Sequence, residues 1–108
     1  MGNLPNLYHV YLRGLAYLQA GEPESAAVEF QKLIDHPGVL ADFIIGAIAY
    51  VQLGRAQVMM GDKVAARKSY QDFLTLWKDA DPDIPIYRQA KAEYARLLAE
   101  SPRIVARH

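Results

Sequence analysis

Residues 50–74 read YVQLGRAQVMMGDKVAARKSYQDFL, two segments with apolar residues at helical spacing that meet at Gly61-Asp62. Sliding this stretch back by 40 residues lays Gly54 on Gly14, Ala56 on Ala16, Gly61 on Gly21 and Ala66 on Ala26. The same offset lays Tyr70 on Phe30, Gln71 on Gln31, and Phe73-Leu74 on Leu33-Ile34. Small residues fall on small ones and aromatics on aromatics, across both segments of the unit. The chain therefore repeats a helical hairpin, and the repeat decides the fold.

Reading outward, Leu4 to Ala20 carries Leu7, Val10, Tyr11, Gly14, Leu15 and Leu18 at helical spacing. Gly21 stands where a helix C-cap wants a left-handed residue, and Pro23 suits the first turn of the next helix. That helix runs to about Asp35 and buries Ala26, Phe30, Leu33 and Ile34, ending before Pro37-Gly38. Asp42 suits the N-cap of a third helix through Met60. The fourth carries Val64, Ala65, Tyr70, Phe73, Leu74 and Trp77. Asp79 to Pro85 reads as a linker, and a fifth helix follows from about Ile86 to Glu100. Its apolar face holds Ile86, Tyr87, Ala90, Tyr94, Leu97 and Leu98, opposite Arg88, Lys91 and Arg96. No segment alternates with period two, so the chain is all-helical.

With 108 residues and no cysteine, one domain is expected, without disulfides, thiolate metal sites or cysteine nucleophiles. Twelve basic residues balance twelve acidic ones, which argues against a nucleic-acid or membrane-surface partner. The balance is uneven: residues 1–54 carry two basic and five acidic side chains, residues 55–108 ten and seven. No apolar run approaches bilayer length, and the first residues lack the basic and apolar regions of a signal peptide. Asn6 stands where a myristoylation signal wants Ser or Thr. A soluble, cytoplasmic protein is expected.

The units resemble the tetratricopeptide repeat, whose pattern is W-x2-L-G-x2-Y…A-x3-F…P. The first supplies Gly14, Tyr17, Ala26 and Phe30, with Val10 and Arg13 in place of Trp and Leu, and Pro37 one residue early. The second supplies Leu53, Gly54 and Ala66, with Tyr50 and Tyr70 as aromatic stand-ins, Gln57 for the tyrosine and Lys78 for the proline. The resemblance implies an all-α right-handed solenoid of about five helices. Hairpin 1 would span about 4–35, hairpin 2 about 42–78 and a capping helix about 84–101. Since the usual repeat has about 34 residues, the excess is placed at His36 to Phe43. The wording "LGRA", "YQDFLTLWKDADPDIPI" and "AKAEYA" is further similar to repeat segments at the C-terminus of bacterial serine/threonine kinases and related multidomain regulators.

Packing explains the pattern. Gly14 and Gly54, with Ala26 and Ala66, let helices approach closely, while Tyr17, Phe30 and Tyr70 fill the gaps between adjacent hairpins. Catalytic and ligand motifs are missing. His9, His36 and His108 fall in different elements without metal-ligand spacing. Ser25, Ser69 and Ser101 lack a nucleophile elbow, and no Gly-rich phosphate loop occurs. Asp79, Asp81 and Asp83 mimic the opening of a calcium loop, but Ile84 and Ala90 stand where that loop needs Gly and Glu. Neither an enzyme, a metal site nor a cofactor is expected. The basic residues of helix five, with Arg103 and Arg107, read as the solvated face of an end-cap.

The resemblance assigns the first helix of each hairpin to a concave groove. Tyr8, Tyr11, Leu15 and Leu18 would line it in unit one, and Ile48, Val51, Arg55, Val58 and Met59 in unit two. With Arg55 as its one cation, this lining does not suit the carboxylate clamp found in some family members. It suits an apolar or amphipathic protein or peptide segment, with Tyr8, Tyr11, Leu15, Val51 and Met59 as anchors. The alternative is self-association into a homodimer through the same surface. A competing reading folds helix five or the third helix over this surface and makes it core.

Overall fold

The computed structural model describes residues 3–35, 42–77 and 84–100. Five α-helices make up the fold: α1 (Asn3–Gln19), α2 (Pro23–Ile34), α3 (Asp42–Met59), α4 (Lys63–Leu76) and α5 (Pro85–Glu100). No strand occurs among the described residues. The third helix begins at Asp42, where the N-cap signal stood, and residues 36–41 of the expected insertion lie outside the described residues.

Both hairpin turns are built alike. Gly21 and Gly61 adopt φ of +77° and +85°, a left-handed conformation that costs glycine nothing sterically. The N–H of each glycine donates to the carbonyl three residues back, Leu18 or Val58. The next residue's N–H reaches five back, Glu22 to Tyr17 and Asp62 to Gln57. This pair of bonds is the Schellman motif, which satisfies carbonyls the helix end would leave orphaned. The entries into α2 and α4 differ. Asp62 caps α4 by accepting the Ala65 N–H at 3.1 Å, whereas α2 relies on Pro23 in its first turn.

Two clusters form the core, and α3 serves both. On one side Ala49, Leu53 and Ala56 pack against Ala26, Phe30 and Leu33 of α2. On the other, Ala47 and Val51 join Ala66, Tyr70 and Phe73 of α4 and Ala90 and Leu97 of α5. A helix buried on two sides must be apolar around most of its circumference, and α3 is. Within each hairpin an aromatic ring lies on a glycine. A Cβ at Gly14 would fall 2.6 Å from two carbons of the Phe30 ring, and one at Gly54 would fall 3.0 Å from Tyr70 Cε2. The rings therefore fill space inside their own hairpins, where the sequence pattern suggested the gap between neighbours.

An offset of 41 residues carries α3 onto α5. It lays Ala49, Leu53 and Ala56 on Ala90, Tyr94 and Leu97, and both sets pack against the hairpin before them. It also lays Gln52, Gly54 and Arg55 on Glu93, Ala95 and Arg96. Thus α5 occupies the place of a third first-helix in the array.

Candidate protein-interaction surface

The inner helices α1, α3 and α5 are joined by a polar ladder. Gln52 Nε2 donates to the Tyr11 hydroxyl at 3.2 Å, linking α3 to α1. Arg55, one turn further along α3, reaches the other way. Its Nε donates to Glu93 Oε1 at 2.9 Å and its Nη2 to Glu93 Oε2 at 2.8 Å, the bidentate geometry that suits guanidinium and carboxylate. Nη2 also donates to Gln89 Oε1 at 3.1 Å. The Tyr70 hydroxyl, from α4, completes the node by donating to Glu93 Oε1 at 2.5 Å.

Electrostatics follow this geometry. Burial pushes the Glu93 carboxyl upward, but the Arg55 and Tyr70 hydrogen bonds and the Arg55 charge outweigh it and hold the group below the ordinary carboxylate range. The Tyr70 phenol is pushed well up, first by burial and then by the neighbouring carboxylate. The Arg55 guanidinium is raised, chiefly by its hydrogen bonds to Glu93. At the start of the array, nearly buried Glu29 accepts from Arg13 at 3.0 Å and Lys32 at 3.3 Å. There too burial opposes the shift, and the two cations lower the carboxyl.

The expected groove residues divide into three groups. Val51 has 0% of its surface exposed and belongs to the core cluster beneath α5; it is not a groove residue. The physical reason is α5, whose Ala90 and Leu97 seal that side of α3. Arg55 is engaged in the Glu93 node, and Tyr11 is half-buried against Phe30, with ring centroids 5.9 Å apart. Leu15, Leu18 and Ile48 are also half-buried, while the Tyr8 side chain lies outside the described residues. Val58 and Met59 remain open, at 38% and 51% exposure. They rim a cavity of about 330 Å³ whose other walls are Arg55, Tyr70, Glu93, Arg96, Leu97 and Glu100.

Of the residues assigned to repeat packing, Gly14, Ala26, Phe30, Gly54, Ala66 and Tyr70 are buried, and Tyr17 is half-buried against the first cluster. Glu93, Gln52 and Arg96 received no role from the sequence pattern at period 40. The 41-residue offset from α3 to α5, which pairs Gln52/Arg55 with Glu93/Arg96, is the signal that finds them.

Stacked helical hairpins with glycine–aromatic contacts inside each define a helical-repeat protein. A family model for the tetratricopeptide repeat matches residues 10–37 and 48–80. The chain belongs to the tetratricopeptide repeat family, whose repeats mediate protein–protein interactions and are typically not enzymes. No curated protein and no solved structure matches the chain. Among the described residues, no group of three His, Asp or Glu side chains converges as metal ligands. No described helix is long and apolar enough to cross a membrane.

Proposed function

We propose that the chain is an interaction module that binds an amphipathic segment of a foreign protein along its inner helix face. The observation that carries this reading is the open apolar pair Val58 and Met59 at the rim of the α3–α5 cavity, beside Arg96. Register extends the surface. Leu15 and Leu18 of α1, Arg55 and Val58 of α3, and Arg96 and Ala99 of α5 hold equivalent places on successive inner helices. An apolar strip crossed by two arginines suits a helix or extended peptide with aliphatic anchors and a carboxylate. Leu15, Leu18, Ile48, Val58 and Met59 serve as the anchors. Met59 adds a flexible, polarisable contact that adapts to different side chains. The similarity in wording to kinase-associated repeat segments makes a cytoplasmic signalling assembly the setting.

Self-association is the second reading, favoured by Met59, Met60 and Val64, which are all exposed around the α3–α4 turn. The equivalent places in hairpin 1 hold Gln19, Ala20 and Glu24. Light scattering on a sizing column, from low to high micromolar protein, separates the two. The foreign-partner reading expects a constant mass of 12.1 kDa. A dimer that Met59→Glu disperses would establish self-association in its place.

A further inference from the structure

A second cavity, of about 560 Å³, opens between α2 and α4 and shares no lining residue with the inner one. Its floor is one face of α3, where Tyr50, Leu53 and Gln57 recur at helical spacing. Ile34 of α2 and Val64 and Ala65 of α4 add apolar walls, and Val64 is 69% exposed. By register, Gln57 and Ser69 stand where hairpin 1 carries Tyr17 and Glu29. An amide in place of a ring, and a hydroxyl in place of a longer carboxylate side chain, leave this space open.

The polar groups at the cleft are only half used. Buried Ser69 donates to Gln57 Oε1 at 2.7 Å, which fixes the amide and leaves its Nε2 without a partner among the described residues. Gln31 Nε2 donates to Asp35 at 3.0 Å, and its Oε1 stays open. A free amide donor and a free amide acceptor beside an apolar floor complement a peptide backbone that carries an apolar side chain.

Charge and size narrow the occupant. Of the three charged lining residues, Lys68 and Asp72 pair with each other at 3.1 Å, so the Asp62 carboxylate sets the net charge. Asp35, beside Gln31, adds a second carboxylate just outside. Lys63 and Gln71 of α4 bond Glu100 and Tyr94, so the stripe that also holds Arg67 faces α5 and not the cleft. The cleft therefore favours a cation. It is smaller than two turns of a helix about 10 Å across, so the occupant enters extended. Every described cation of this chain lies within a helix, and a second copy has none to offer in that form.

We propose that this outer cleft takes a short extended segment of a separate protein, with an aliphatic side chain on Leu53 and an arginine or lysine on Asp62. The site is independent of the Val58–Met59 rim, so one chain can bridge two partner segments across α3.

The probe is the capped peptide acetyl-Ala-Leu-Arg-Ala-amide, titrated into the isotope-labelled full chain and followed by NMR. Saturable shifts should centre on the side-chain amides of Gln31 and Gln57, with a dissociation constant at or below about 1 mM. The same peptide with glutamate for arginine should bind at least about tenfold more weakly. Gln57→Tyr, which copies the hairpin-1 residue and fills the cavity, should abolish binding with helicity kept. Asp62→Asn still caps α4 and should erase the preference for arginine over glutamate. Met59→Glu should change neither result, which keeps this test separate from that of the inner rim. Weaker or unsaturable binding overturns the proposal, as does equal binding of the glutamate peptide, or shifts confined to Val58 and Met59. Binding that survives both Gln57→Tyr and Asp62→Asn overturns it too. So does a dimer that Gln57→Tyr disperses, since a second copy would then be the occupant.

Discussion

Glu93 of α5 grips Arg55 of α3 through two hydrogen bonds of 2.9 and 2.8 Å, which tie the last helix to the central one. The apolar contribution of α5 comes from Ala90 and Leu97, with Ile86, Tyr87 and Tyr94 packed beside them. The ion pair adds direction. Its two side chains are 29% and 27% exposed, so water screens it in part.

Replacing Glu93 with Gln keeps the shape and removes the charge. Hydrogen bonds to charged groups are worth about 1.5–3 kcal/mol, and partial exposure brings the expected cost to about 1–2 kcal/mol. For a domain of this size the melting temperature should fall by roughly 5–10 °C. Trp77, the only tryptophan, packs on Phe73 at 5.2 Å beside α5, so its fluorescence should report the loosened helix. A circular-dichroism melt and a fluorescence melt identical to those of the parent protein would detach the pair from stability.

Acid should act on the same contact. The folded-state pKa of Glu93 lies below its unfolded value, as does that of Glu29. A depressed carboxyl contributes stability above the unfolded pKa and loses it as pH falls through the folded one. Stability should therefore be level near neutrality and decline below about pH 4.5. Urea midpoints measured between pH 7 and pH 3 check this. In Glu93→Gln the decline should be shallower, with the remainder carried by Glu29.

The two glycine–aromatic contacts differ in tightness, and alanine substitution reads the difference. Each Gly→Ala change in a helix gains about 1 kcal/mol of propensity. At Gly54 the new methyl meets Tyr70 at 3.0–3.2 Å, and a small shift of the ring should leave the variant near neutral. At Gly14 it meets the fully buried Phe30 at 2.6 Å, and overpacking of about 1–3 kcal/mol should exceed the gain. Denaturant titrations should rank Gly14→Ala below Gly54→Ala. Gly54→Leu should cost about 1–3 kcal/mol or more, because a longer side chain drives into the Tyr70 ring.

Glutamate at Val51 and at Met59 separates core from surface on one helix. A charge in the sealed Val51 site, without a partner, costs an amount comparable with the whole stability of a small domain. Val51→Glu should lose cooperative unfolding. At half-exposed Met59 the same change should stay within about 0.5 kcal/mol. Far-UV circular dichroism of both variants tests the division.

These cases also mark how far the sequence could be read. Gly21 and Gly61 announced their turns because a left-handed residue after a helix has few substitutes. Gly14, Phe30, Gly54 and Tyr70 stood out as packing residues because one offset matched all four, but the pattern put the rings between hairpins, and only the structure lays each on the glycine of its own hairpin. The fate of Val51 was not, since burial there depends on α5, and α5 follows α3 at 41 residues instead of 40. The one-residue change of period hid the equivalence of Arg55 with Arg96. Glu93 consequently drew no role from the pattern, although its carboxylate joins α3, α4 and α5.

The most direct test places a photoreactive residue at Met59, on the inner rim, and in a second variant at Val28, exposed on α2. Cross-linking is carried out in the native host, and the attached peptide is sequenced. The account predicts one recurrent amphipathic segment at Met59 that is missing at Val28 and lost when Leu18 and Val58 are changed to Glu. Equal capture at both positions, or a Met59 adduct made only with another copy of the chain, would contradict it.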